Sequence, residues 1–363
     1  MNARIDYFDF LKGSLICLVV WGHICSYVSG LDYEYNEVTR YVRLFQMPLF
    51  ILISGFFSKE IHSFNDLTNK LVKDVKHIGL PLFTWCLLAF IVHSIMIHYY
   101  ELPSKHIMSF LSAYWFLPCL LCCSFVWHTL LYIKNMNNTV GIFLIILSII
   151  SILLIPDYFY VSFLWIFYLL GVTTKKAYPY ILNWNNRGGD YILYKIVARL
   201  PLYLFVIYTG FRFETGMTFY NQANNILNEG VSLSHLFTGV LFVIKRYAVY
   251  IAASLAALDA FWLIYRFIKK YCSSFYNHLL AIGKETLFIY VFHILILFFV
   301  VNPIIKQTTS NMGILTDYPF LRYYVVSTII CSVVIIVSMY LATNIKSVKY
   351  LSFILSGVTR SNI

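Results

Sequence analysis

The sequence predicts an all-α polytopic integral membrane protein of about ten transmembrane helices, with both termini in the cytoplasm. Three observations carry that prediction. Of 363 residues, 60% are hydrophobic and only 12% charged, and the mean hydropathy of +0.74 lies far outside the range of soluble domains. Apolar runs recur along the whole chain, most of them near the roughly 20 residues a helix needs to cross about 30 Å of hydrocarbon. About two thirds of the Lys and Arg residues fall on one side of the resulting topology, the bias that marks cytoplasmic loops.

The predicted spans are 10–28, 43–57, 78–98, 114–132, 139–155, 158–174, 192–211, 247–267, 286–303 and 322–343. The first follows Asp6 and Asp9 and has no small-x-small cleavage site, so it reads as an uncleaved anchor. The second is short and holds Pro48, which predicts a kink, and Ser54-Gly55, which permits close backbone approach. The third contains Pro81 and is preceded by a lysine-rich loop. Residues 235–244 (HLFTGVLFVI) are too short to span and read as re-entrant or interfacial. The longest polar connections, 175–191 and 212–234, are too short for an independent domain, so chemistry must reside in the membrane domain itself. The second, rich in Asn, Tyr and Phe, suits either sugar binding or an ordinary surface loop.

The net charge of +11 is topology signal plus attraction to anionic lipid headgroups, and calls for no nucleic acid. Cys119, Cys122 and Cys123 follow Trp115 in an apolar run with no second ligand pair, so they read as packing residues and no metal is expected.

Ionisable side chains inside such spans cost enough to mark function. In the first span, Lys12 and His23 are about three turns apart, on one face and roughly 16 Å apart along the axis. Lys12 can snorkel to the inner headgroups. His23 cannot reach as far, and fits two roles: a general base towards a hydroxyl, or a histidine bonded across to a neighbouring helix. Arg43, Gln46 and Ser54 are the polar groups around the Pro48 helix. Lys70, Lys73 and Lys76, with His77, precede the third span, where they enforce topology and suit a phosphate-bearing cytosolic donor. Trp115 sits in the aromatic stretch YWFLPCL, and Tyr290 and His293 share a helical face in GKETLFIYVFH.

Taken together and in order, FDFLKG with VVWGH, FQMPLFILISGFF, the lysine-rich loop before Pro81, YWFLPCL and GKETLFIYVFH make the chain resemble the membrane-bound acyltransferase family 3. The likeness is closest to its sugar O-acetyltransferase members of the fucose-4-O-acetylase type. The resemblance covers most of the chain. It implies one acyltransferase membrane domain over 1–363, with no appended soluble domain, in the bacterial inner (cytoplasmic) membrane. It also implies transfer of an acetyl group from acetyl-CoA, a co-substrate with no permanently bound cofactor, to a hydroxyl of an envelope or surface glycan or its lipid-linked precursor. His23 and Lys12 match the family's catalytic histidine and its basic partner. Lys70, Lys73 and Lys76 stand where members carry arginines, and imply acyl-CoA binding by point charges. Gln46 stands where members often carry His. Arg43, Gln46, Ser54, Trp115, Tyr290 and His293 are then candidates for lining the site, with Tyr290 and His293 orienting the acceptor or stabilising the oxyanion. Rival readings are a polytopic transporter or flippase, and a polymerase of lipid-linked glycans. Acidic residues are nearly absent from the spans, which disfavours the transporter.

Overall fold

The computed structural model describes residues 5–29, 37–100, 106–151, 160–186, 192–210, 233–301, 303 and 320–356. Among these every regular element is helical. Fourteen α-helices run in order: α1 (Asp6–Ser29), α2 (Glu37–Phe56), α3 (Phe64–Asp74), α4 (Leu80–Tyr100), α5 (Ile107–Ala113), α6 (Phe116–Met136), α7 (Asn138–Ser151), α8 (Val161–Asn186), α9 (Ile192–Gly210), α10 (Leu233–Tyr271), α11 (Ser273–Lys284), α12 (Thr286–Ile296), α13 (Ser327–Ser347) and α14 (Lys349–Ser356). The apolar content dictates this outcome: in hydrocarbon each backbone N–H and C=O must be satisfied within its own segment.

Five helices among the described residues are long and apolar enough to cross a membrane, or six if the α11–α12 pair, bent by 80°, is one span. Among the described residues, therefore, not every one of the ten predicted runs yields a full-length apolar helix. Of the run at 139–155, the residues up to 151 belong to α7 and the rest lie outside the described residues, and α2 begins with Glu37, Arg40 and Arg43. Exposed Phe83, Leu87, Ile91 and Ile95 recur every fourth residue on α4, the stripe a lipid-facing helix presents.

One expectation is corrected. Residues 235–244 are no separate re-entrant piece but the start of α10, a continuous 39-residue helix about 58 Å long. The span predicted from 286 does begin at Thr286, after a break at Glu285 whose carboxylate is held by Lys346 of α13. Pro81 lies in the first turn of α4, directly after a π-helical stretch, Val75–Gly79. Widening the turn there accommodates a residue with no N–H and a ring that crowds the carbonyl four residues back. Pro48, by contrast, lies within an unbroken α2. The 212–234 segment lies almost wholly outside the described residues.

The chain divides into two compact units: Met1–Thr39, Thr68–Leu121 and Tyr265–Ile363 in the first, Arg40–Leu67 and Cys122–Ile264 in the second. In the first unit α1 is the central helix. Its most apolar window is 67% buried, against 33–44% for the other full-length helices, so α1 is shielded from lipid and can carry polar side chains. Gly13 meets the Leu279 carbonyl of α11, and Gly283 meets the Asp9 carbonyl of α1; a Cβ at either would strike backbone. Such close approach through small residues is how membrane helices gain packing without a hydrophobic driving force. On its other sides α1 receives Cys331 of α13, whose thiol donates to the Cys17 carbonyl (3.6 Å), and stacks Trp21 on Tyr324 (6.3 Å).

In the second unit α2 and α8 cross in the same manner, Gly55 against the Tyr168 carbonyl and Gly171 against the Leu52 carbonyl. Lys175 donates to the Ser58 carbonyl at 2.8 Å. Arg199 of α9 pairs with Asp259 of α10 at 2.8 Å, and the Tyr203 hydroxyl donates to the same carboxylate at 3.1 Å.

Candidate active site

The first unit brings three of the sequence candidates together. His23 lies on α1, His293 and Tyr290 on α12. The His23 and His293 ring centroids are 5.4 Å apart with the planes at 39°, and the Tyr290 ring stands 5.7 Å from His293. His293 is fully buried, whereas His23 is exposed. His23 is thus the accessible member of the pair and His293 the buried one.

The tautomer of His293 follows from its neighbour. Its Nδ1 lies 3.0 Å from the Ile289 carbonyl one turn back. A carbonyl oxygen can only accept, so Nδ1 carries the hydrogen, and a neutral imidazole so held has a lone pair on Nε2. That Nε2 is buried and has no hydrogen-bond partner among the described residues. Of the two roles expected of His293, a lone pair on Nε2 suits orienting the acceptor rather than stabilising the oxyanion. A lone pair cannot donate to an oxyanion, but it can accept the N–H of a neighbouring imidazolium.

A donor stands nearby instead. Tyr114, in the turn between α5 and α6, is fully buried, and its hydroxyl has no partner among the described residues. It lies within electrostatic reach of Tyr290, and Phe116, two residues on, sets its ring edge against Tyr290 at 5.6 Å. Sequence reasoning passed over Tyr114 because a tyrosine opening an aromatic helix reads as an interfacial anchor; only its burial distinguishes it. Trp115, the residue chosen there, is half-buried with its ring 6.0 Å from Phe116.

Lys12 sits about three turns before His23, as its spacing requires, and forms an ion pair with buried Asp9 at 2.8 Å. Asp9 is a partner the sequence offered at i−3. The three loop lysines separate into two kinds. Lys70 is half-buried and donates to both carboxylate oxygens of Asp74 at 2.5 Å. Lys73, at the end of α3, and Lys76, in the π-helical stretch, are exposed. Lys73 and Lys76 are therefore the ones open to a soluble polyanion.

Arg43, Gln46 and Ser54 belong to the second unit, all on α2. Ser54 returns its hydroxyl to the Phe50 carbonyl at 3.0 Å. The Gln46 Oε1 is buried without a partner among the described residues. Arg43 is half-buried and within electrostatic reach of Tyr250 on α10.

Comparison with known proteins adds independent information. The family model described as an acyltransferase domain matches residues 5–343. Nodulation protein NolL of Mesorhizobium japonicum is 27% identical over 231 residues, covering 59% of this chain and 58% of the relative. The protein of the same name from Sinorhizobium fredii is 31% identical over 90 residues, 24% of this chain and 25% of the relative. The chain thus spans little more than half the length of the first relative and a quarter of the second. No solved structure matches.

Proposed function

We propose, on the premise that this chain belongs to the membrane-bound acyltransferase family 3 and is an acyltransferase, that it moves an acetyl group from acetyl-CoA to a hydroxyl of a surface glycan or its lipid-linked precursor. Family membership sets aside the transporter and polymerase readings. The proposal includes a ten-span arrangement in the bacterial inner membrane with both termini cytoplasmic, which the lysine distribution supports.

The observation that carries the mechanism is the buried His293 Nε2, unpartnered among the described residues, in a ring 5.4 Å from that of the accessible His23. His23 removes the proton from the acceptor hydroxyl as its oxygen attacks the thioester carbonyl. The imidazolium so formed turns its remaining N–H to His293 Nε2, which spreads the charge without exposing it to water. When the C–S bond breaks, His23 returns the proton to the departing thiolate. The products are the acetyl ester and free CoA. The Tyr114 and Tyr290 hydroxyls are the donors for the tetrahedral oxyanion. Lys73 and Lys76 hold the CoA phosphates, and Lys12, fixed by Asp9, marks the inner mouth of the same helix. Both relatives are named as nodulation proteins.

The test supplies membrane vesicles containing the protein with acetyl-labelled acetyl-CoA. Label that becomes attached to glycan, and is released by mild base, is the expected result. Label that reaches only water or protein, with every glycan fraction unlabelled, overturns the acceptor assignment.

A further inference from the structure

The second unit holds a buried cation that the mechanism does not use. Arg246, on α10, is only 6% exposed. Its guanidinium stacks on the Phe163 ring at 4.2 Å and faces the Tyr250 ring at 5.8 Å. Its Nε has no hydrogen-bond partner among the described residues, and no carboxylate there pairs with it. Asp259, the acid of the same helix, is occupied by Arg199 and Tyr203. Apart from a hydrogen bond to the Tyr250 hydroxyl, this guanidinium has no oppositely charged partner among the described residues; burying a cation is expensive, so its retention points to an anion supplied by a ligand.

The surroundings narrow that ligand. Arg43 of α2 lies within electrostatic reach of Tyr250, so two guanidinium groups bear on one phenol. Phe163 stands in the first turn of α8, a 26-residue helix whose positive N-terminal end favours an anion. Tyr160, just before that helix, has a left-handed backbone (φ 56°), a conformation costly for a tyrosine and often found at ligand sites. Two guanidinium charges match the roughly two negative charges of a phosphoryl group rather than the single charge of a carboxylate. Arg246 lies within Phe237–Tyr271, a stretch of α10 long and apolar enough to cross a membrane, so an anion that reaches it arrives attached to a lipid.

We propose that Arg246, Arg43 and Tyr250 form a binding site for the phosphoryl group of a membrane lipid. The reading of that lipid as the carrier of the glycan acceptor rests on the function proposed above; the site itself does not.

The test uses the full-length protein in a phosphate-free maltoside detergent. Binding of farnesyl diphosphate, dioleoylphosphatidylglycerol and farnesol is followed by thermal shift and native mass spectrometry. At least one phosphorylated probe should bind and farnesol should not. Arg246→Gln and Arg43→Gln should each weaken binding about tenfold or more, the effect of losing a charge-assisted hydrogen bond. Arg246→Lys, which keeps the charge but loses the fork, should fold and bind between the two. Lys245→Gln, an exposed neighbour, should bind as wild type. Preference for farnesyl diphosphate supports the site and assigns it to an isoprenoid carrier; preference for phosphatidylglycerol supports it and assigns it to bulk lipid. Wild-type affinity in Arg246→Gln, equal binding of farnesol, or displacement of either probe by CoA would overturn the proposal. No arm depends on turnover, so loss of the acetyltransferase reading leaves this test intact.

Discussion

The His23 and His293 ring centroids lie 5.4 Å apart, His23 exposed and His293 fully buried, with an Nε2 that has no hydrogen-bond partner among the described residues. The arrangement makes His293 a positioning residue. His293→Phe should lower kcat on the order of 100-fold, the low end of what acid–base assistance contributes, while leaving the KM for acetyl-CoA within about twofold. His293→Gln, whose amide oxygen can accept from His23, should recover part of that loss. Steady-state kinetics on the purified variants checks both. A packing role alone would predict similar losses in both variants, accompanied by lower melting temperatures.

The Tyr114 hydroxyl separates activity from stability. It makes no hydrogen bond among the described residues, so Tyr114→Phe removes a buried polar group that contributes nothing to folding. The melting temperature should stay level or rise, whereas turnover should fall about tenfold or more if the phenol serves the oxyanion. Unchanged turnover would remove Tyr114 from the mechanism.

The glycine contact between α1 and α11 predicts a sharp positional contrast. Gly283→Ala places a methyl against the Asp9 carbonyl and should destabilise by about 1–3 kcal/mol, as overpacking does. Gly22→Ala, on the same α1, meets nothing within 4 Å and should be neutral or stabilising by about 0.5–1 kcal/mol through helix propensity. Thermal unfolding in detergent distinguishes the two.

The lysines before α4 should divide by function. Removing Lys73 and Lys76 together should raise the KM for acetyl-CoA about tenfold at low salt, with a smaller difference at high salt as screening grows. Lys70→Gln leaves Asp74 without its bidentate partner, so its effect should appear in stability rather than in KM. Kinetics across ionic strength checks this division.

Much of this was legible in the residues because membrane insertion penalises polar side chains heavily. Lys12 and His23 were visible as exceptions on one helical face, and Tyr290 with His293 as another pair. Other features depend on contacts that spacing does not encode. The tautomer of His293 is set by a backbone carbonyl, and Tyr114 differs from an interfacial tyrosine only in being buried. The break at Glu285 coincides with the polar Lys284-Glu285 before the predicted span, but its partner Lys346 is distant in sequence. The length of α10 was hidden because Lys245 and Arg246 interrupt its hydropathy, although both are accommodated in one helix. The Lys70–Asp74 pair was the opposite case: its i,i+4 spacing was readable, but a cluster of lysines drew attention to charge rather than to pairing.

The most direct test of the account compares cells lacking this protein and complemented with wild type or His23→Ala at matched membrane abundance, measuring base-labile acetyl groups on the surface glycan. The account predicts that wild type restores them and His23→Ala does not. Equal restoration by both would make His23 a packing residue and contradict the mechanism.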